Sequence, residues 1–201
     1  MMGSGIAYVA ALSGIEVVLI DANKEKASKG KGNVEKILLE GIKRKKTTPD
    51  QMEKVLGRVF ATDDYSTLQS ADLVIEAVFE DEDLKSKVTM LAEAHISEST
   101  IFATNTSTLP ITELSKASKN RKNFIGIHFF SPVNKMNLVE IIRGRETKGI
   151  AVAKALDFVK QINKTPIVVN DARFFYANRC IIPYLNEGVR MAGEGISLAL
   201  I

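Results

Sequence analysis

Residues 1–23 read MMGSGIAYVAALSGIEVVLIDAN, and the order of their parts decides the fold. Small and apolar residues recur at helical spacing over 2–12, Ser13-Gly14 ends the helix, and the β-branched run over 16–20 stops at Asp21. A helix feeding a strand with an acidic tip is the later part of a dinucleotide-binding βαβ unit. There a glycine-rich turn precedes the helix, and an acid about 20 residues on accepts the ribose hydroxyls. Gly3 is then the last glycine of a G-x-G-x-x-G turn and Asp21 the ribose ligand. The same residues also fit plainer roles, with Gly3 and Gly5 packing the helix on a strand and Asp21 capping the segment that follows.

Outward from this stretch, helix and strand alternate. Residues 23–46 form one long helical pattern with Val34, Ile37, Leu38 and Ile42 on the apolar face and a basic end, Lys43-Arg44-Lys45-Lys46. Such an end suits the helix dipole without any ligand. A short helix over 50–56, strands over 59–62 and 74–79, a helix over 83–96, a strand over 100–103 and a short helix over 111–117 follow. After a pair of strands come a helix over 148–162, a strand over 166–169 and a helical segment over 177–191. This is the rhythm of a parallel α/β sheet. Ligands in such sheets sit at the carboxyl ends of the strands, where this chain places Glu80, Asn105-Thr106-Ser107 and His128. Each could be a turn former alone, and their convergence on one edge argues otherwise.

The pair of strands lies in NFIGIHFFSPVNKMNLVEIIR, residues 123–143. Runs over 124–130 and 138–142 read as strands joined by a turn at Ser131-Pro132-Val133-Asn134. Each carries one ionisable residue among apolar neighbours, His128 and Glu140. Burying either without a partner is costly, so the two are expected to face each other. A histidine held by a carboxylate is a proton-transfer pair, and equally a core histidine satisfied by a structural acid.

The chain has 201 residues, of which 45% are hydrophobic and 25% charged, the balance of a soluble globular protein with one domain and part of another. No run is apolar enough to span a membrane, and no signal peptide is visible at residue 1. The single cysteine, Cys180, excludes an internal disulfide and suits a reducing compartment, so a cytoplasmic location is expected. A net charge of +3 is too small to imply nucleic acid. With only two histidines, and His95 expected on an exposed helix end, no metal site is expected.

The phrases VIEAVFED, IFATNTSTLPI, IGIHFFSPVNKMNLVEII and TPIVVND followed by NRCIIPYLNE resemble the L-3-hydroxyacyl-CoA dehydrogenase family, especially the dehydrogenase region of the bacterial fatty-acid β-oxidation multifunctional alpha subunit. The resemblance implies a Rossmann-like doubly wound sheet over 1–170 and the start of an all-helical substrate and dimerisation domain over 171–201. It implies NAD as cofactor, an acyl-CoA substrate, and a homodimer or larger β-oxidation complex. His128 falls on the family's catalytic base, Glu140 on its carboxylate partner, and Ser107 and Asn178 on the groups that orient the substrate oxygen. Asp21 falls on the adenine ribose ligand, Glu80 and Lys85 on positions lining the cofactor, and Asn105 near the nicotinamide. The basic helix end, with Arg44, is a candidate for the CoA phosphate. A carboxylate at Asp21 favours NAD over NADP by repelling a 2′-phosphate.

Three departures from the family pattern stand out. The first strand and opening glycines are absent, Phe174-Phe175 stands where a Gly-Phe pair is usual, and the sequence stops about one helix into the helical domain. Two other functions are compatible with the residues: a related dehydrogenase acting on a small hydroxy acid, and a catalytically incomplete binding or interaction module.

Overall fold

The computed structural model describes residues 2–201. Helix α1 (Met2–Leu12) carries no charged residue and buries Ser4, Gly5, Ile6, Ala7, Val9, Ala10 and Ala11, so it is buried on nearly every side. Its small residues allow close approach. A Cβ on Gly5 would stand 2.9 Å from Cβ of Val133, inside contact distance. Strand β1 (Val17–Ile20) follows, and helix α2 (Lys24–Lys43) starts where the Asn23 side chain accepts the Lys26 amide. Ala27, Val34 and Leu38 form its buried stripe. The expected helix to residue 46 ends earlier, because Lys45 turns left-handed at φ 57° and the Lys46 amide reaches back to the Gly41 carbonyl. Helix α3 (Pro49–Gly57), capped by Thr48, leads into β2 (Val59–Thr62), which pairs in parallel with β1. Ala7, Ala11, Val34, Leu38, Val55 and Val59 close the core of this part.

The larger sheet has the order β3 (Leu73–Glu76), β4 (Ile101–Thr104), β5 (Phe124–Phe129), β6 (Leu138–Arg143), β7 (Thr165–Asn170). All pairs are parallel except β5 with β6. The strand expected over 74–79 stops at Glu76, since the Glu76 carboxylate folds back to accept the Val78 amide at 2.6 Å. Phe79 is thereby left 81% exposed on the loop before α4 (Glu82–Glu93). The helix expected over 111–117 splits into α5 (Ile111–Leu114) and a 3₁₀ turn at Ser115–Ala117. Strands β1 and β3 belong to separate sheets, and α1 lies over both, with Val17, Leu73 and Ile75 packed against its cluster.

Period-two alternation sorts the side chains of β5 and β6 between two faces. Ile125, Ile127, Phe129, Val139 and Ile141 pack under α1 and α6 (Gly149–Gln161), where Ala151, Ala155 and Val159 meet them. Phe124 and Ile142 pack on the opposite face with Ile111, Leu114 and Phe175. His128 and Glu140 share the parity of that second face. Helix α7 (Ala177–Gly193) ends the described regular structure with none of its residues buried, and Tyr184 is 78% exposed. No helix among the described residues is long and apolar enough to cross a membrane.

Candidate active site

Antiparallel pairing of β5 with β6 sets His128 directly opposite Glu140, and Nδ1 lies 2.7 Å from Oε2. Both are buried, at 5% and 0% exposure. An ionised carboxylate can only accept, so Nδ1 carries the proton and donates it. The Nε2 lone pair is left for chemistry. Among the described residues Nε2 has no hydrogen-bond partner and keeps a small solvent-accessible surface. Phe130 and Phe175 flank the imidazole with ring centroids at 4.5 and 5.9 Å. The other Glu140 oxygen accepts the backbone N–H of Tyr176 at 3.0 Å and of Ala177 at 2.8 Å. Burial pushes the Glu140 carboxyl upward, but the hydrogen bond from His128, the α7 amides and the imidazole's charge outweigh it and hold it below its ordinary value.

At the end of β4, Asn105 accepts the Phe129 amide through Oδ1 at 2.9 Å, tying this edge to the residue after His128. The following loop is organised by one oxygen of Glu80. It accepts from the Thr106 hydroxyl at 2.6 Å, the Ser107 and Thr108 amides at 2.9 and 3.1 Å, and the Ser107 hydroxyl at 3.3 Å. Burial raises the Glu80 carboxyl; these donors and the Lys85 ammonium lower it further, leaving it below its usual range. Asn178, one residue into α7, donates its side-chain amide to the Ser107 carbonyl at 2.9 Å. His128, Glu140, Ser107 and Asn178 are thus brought together from β5, β6, the β4 end and α7.

The expectation for Lys85 changes. Its side chain is 2% exposed, and the ammonium is bound to both Glu76 oxygens at 3.0 and 3.1 Å, with Glu80 at 3.4 Å. A lysine so enclosed meets the β4 loop only through Glu80. Sequence reasoning passed over Glu76, although it is a carboxylate inside an apolar strand, the same signal that singled out Glu140. It also passed over Asp171, which accepts the Ile111 and Thr112 amides at 2.8 Å each and so pins the segment leaving β7.

Asp21 lies exposed at the tip of β1 and accepts the Ala22 amide at 2.7 Å through one oxygen, leaving the other for hydroxyl donors. Gly3 lies in the first turn of α1, where a Cβ would meet Ala77 and Leu19 at an ordinary 4.0 Å. An exposed acid beside a helix start suits a dinucleotide. Arg44 caps the far end of α2 and pairs with Glu40, and among the described residues its side chain makes no hydrogen bond or ion pair with the His128 cluster. Among the described residues no group of three or more His, Cys, Asp or Glu could hold a metal ion. Phe174 and Phe175 take the departure from Gly-Phe at a cost, since both adopt left-handed backbone angles, φ 68° and 51°.

Comparison with known proteins gives a concordant result. The model of the 3-hydroxyacyl-CoA dehydrogenase, NAD binding domain family matches residues 1–172. The chain is 42% identical over 184 residues to the fatty acid oxidation complex subunit alpha of Acinetobacter baylyi, covering 92% of this chain and 26% of that protein. It therefore spans about a quarter of the length of that relative. Among solved structures it resembles (S)-3-hydroxybutyryl-CoA dehydrogenase PaaH1 from Ralstonia eutropha, with a TM-score of 0.94 and 37% identity over 98% of this chain and 69% of that one. It also resembles 3-hydroxybutyryl-CoA dehydrogenase from Escherichia coli K12, with a TM-score of 0.93 and 32% identity over 98% of this chain and 42% of that one. The cofactor of the matching family is NAD, as the Asp21 pattern leads one to expect. The chain belongs to the 3-hydroxyacyl-CoA dehydrogenase, NAD binding domain family.

Proposed function

We propose that this chain is the catalytic dinucleotide-binding part of an enzyme that oxidises L-3-hydroxyacyl-CoA to 3-ketoacyl-CoA in fatty-acid β-oxidation. The observation that carries this reading is the buried His128–Glu140 pair, 2.7 Å apart, with Ser107 and Asn178 gathered beside it. NAD, when bound, supplies the hydride acceptor. His128 takes the hydroxyl proton at Nε2, and Glu140 stabilises the imidazolium that forms. Ser107 and Asn178 orient the substrate oxygen. The Ser107 hydroxyl is available because its bond to Glu80 is long, at 3.3 Å. Gly3, Asp21, Glu80 and Asn105 line the cofactor, and Lys85 acts through Glu80. Arg44 and its lysine neighbours meet the CoA phosphates, for which Arg44 exchanges its exposed bond to Glu40. Residues 1–170 form the dinucleotide-binding unit and 171–201 the start of a helical unit. The protein works in the cytoplasm as a homodimer or within a multifunctional complex.

The test is turnover of acetoacetyl-CoA with NADH, followed at 340 nm in parent and His128→Gln proteins. A loss of about 10²-fold or more is expected, the scale of general acid-base help. Unchanged turnover in His128→Gln removes the histidine from the mechanism. Equal turnover of acetoacetate and acetoacetyl-CoA favours a small hydroxy acid instead. A second reading, a binding module without turnover, draws on α7, none of whose residues is buried. NADH binding without reduction of either substrate supports it.

A further inference from the structure

Glu140 serves two partners that lie in different directions. Oε2 takes the Nδ1 proton of His128, while Oε1 takes the amide protons of Tyr176 and Ala177, from 36 and 37 residues along the chain. Those amides open α7, whose N-cap residue, Tyr176, makes no side-chain capping bond of its own. Glu140 is the cap that the helix lacks locally. The segment that delivers the amides is held hard: Phe174 and Phe175 sit at positive φ, the Phe174 amide bonds the Thr108 carbonyl at 3.3 Å, and Phe175 is buried against His128. Backbone strain of this kind persists only where the surroundings over-determine it.

We infer that the Tyr176 and Ala177 amides are positioning groups for the imidazole: they demand an acceptor from the residue 140 side chain and so decide which of its atoms is left to face Nδ1 of His128, an acceptor-only oxygen when that side chain is the Glu140 carboxylate. Backbone N–H groups only donate, and the helix fixes their direction. Whatever atom faces them must accept. A carboxylate meets that demand and still offers the ring a second acceptor-only oxygen, so the ring must present N–H at Nδ1 and a lone pair at Nε2. The catalytic consequence rests on reading His128 as the base, whereas the tautomer itself does not. Because α7 also carries Asn178, one seat sets both the proton-accepting nitrogen and the Asn178 bond to Ser107.

The isosteric variant Glu140→Gln separates this from simple proximity. If the α7 amides rule, the Gln oxygen faces them and its NH₂ faces His128, which must then accept at Nδ1 and move its proton to Nε2. The measurement is long-range ¹H–¹⁵N NMR of histidine-labelled 201-residue chain at a pH where the ring is neutral. The chain has two histidines, so His95→Gln assigns the signals. The expected result is Nδ1–H in the parent and Nε2–H in Glu140→Gln. Retention of Nδ1–H in the variant, or Nε2–H in the parent, overturns the inference. Amide exchange supplies a second readout: Glu140→Ala should speed exchange at Tyr176 and Ala177 by about 10-fold or more, whereas His128→Gln should leave it unchanged. Equal exchange in Glu140→Ala and parent also overturns it. Failure of turnover with the tautomer switch intact counts against the proposed reaction alone.

Discussion

Lys85→Met should be among the most damaging single substitutions in this protein. The Lys85 side chain is 2% exposed, and its ammonium is the cation facing Glu76, whose own side chain is 1% exposed, at 3.0 Å. At an effective dielectric of about 20, unit charges at that distance attract by about 5 kcal/mol. Removing one partner strands the other without water, a loss of about 3–5 kcal/mol in comparable buried pairs. Glu76 keeps the Val78 amide and the Thr104 hydroxyl, at 2.6 and 2.8 Å, which places the expected loss toward the lower end, about 3 kcal/mol. Methionine matches the lysine stem in shape, so packing contributes little. Glu76→Gln should cost a similar amount, leaving the lysine with Glu80 alone. The double variant should be more stable than either single one, because a neutral glutamine beside methionine leaves no unpaired charge. Urea unfolding of all four proteins at pH 7 and 25 °C, with a constant denaturant slope as the check on two-state behaviour, measures the cycle. Additive losses, or a Lys85→Met loss below about 1 kcal/mol, refute the claim that this pair is a closed buried unit.

Other outcomes follow from separate parts of the molecule. Gly126→Ala places a Cβ 2.7 Å from Cδ1 of Ile111 and 2.9 Å from Cβ of Ile142, both in the core; thermal unfolding should register a loss of about 1–3 kcal/mol, and a wild-type midpoint would show that the sheet yields there. Glu80 is held below its ordinary value of 4.5, so the unfolded chain binds the proton more tightly; its contribution is complete above about pH 4.5 and is lost as pH falls through the folded value. Urea midpoints measured from pH 7 down to 3 should accordingly fall less steeply in Glu80→Gln than in the parent, and parallel slopes would contradict the assignment. Asp21→Ser removes the exposed carboxylate at the tip of β1; titration calorimetry should show weaker NAD binding and a narrower preference over NADP, while unchanged affinities for both would free Asp21 from that role.

The sequence alone determined the features that depend on short separations. Helical and strand periodicities set the alternating order of elements, because burial of one stripe or one face repeats every few residues. The His128–Glu140 pair was legible for the same reason: two apolar strands joined by one turn put both residues on the same face, 12 positions apart. What only the tertiary structure decided are contacts that close over long stretches of chain. Lys85, on an amphipathic helix where a lysine ordinarily meets water, is buried because Glu76 and Glu80 converge on it from the strand end beside it. Phe174 and Phe175 accept left-handed angles that no local preference supplies. Asp171 reaches Ile111 across 60 residues, and Asn178 reaches Ser107 across 71. Glu140 could be read as a partner for histidine, yet not as the cap of a helix 37 residues onward. The physical reason is that a carboxylate announces its need for donors in any apolar run, whereas which distant donors meet that need depends on packing of the whole sheet edge.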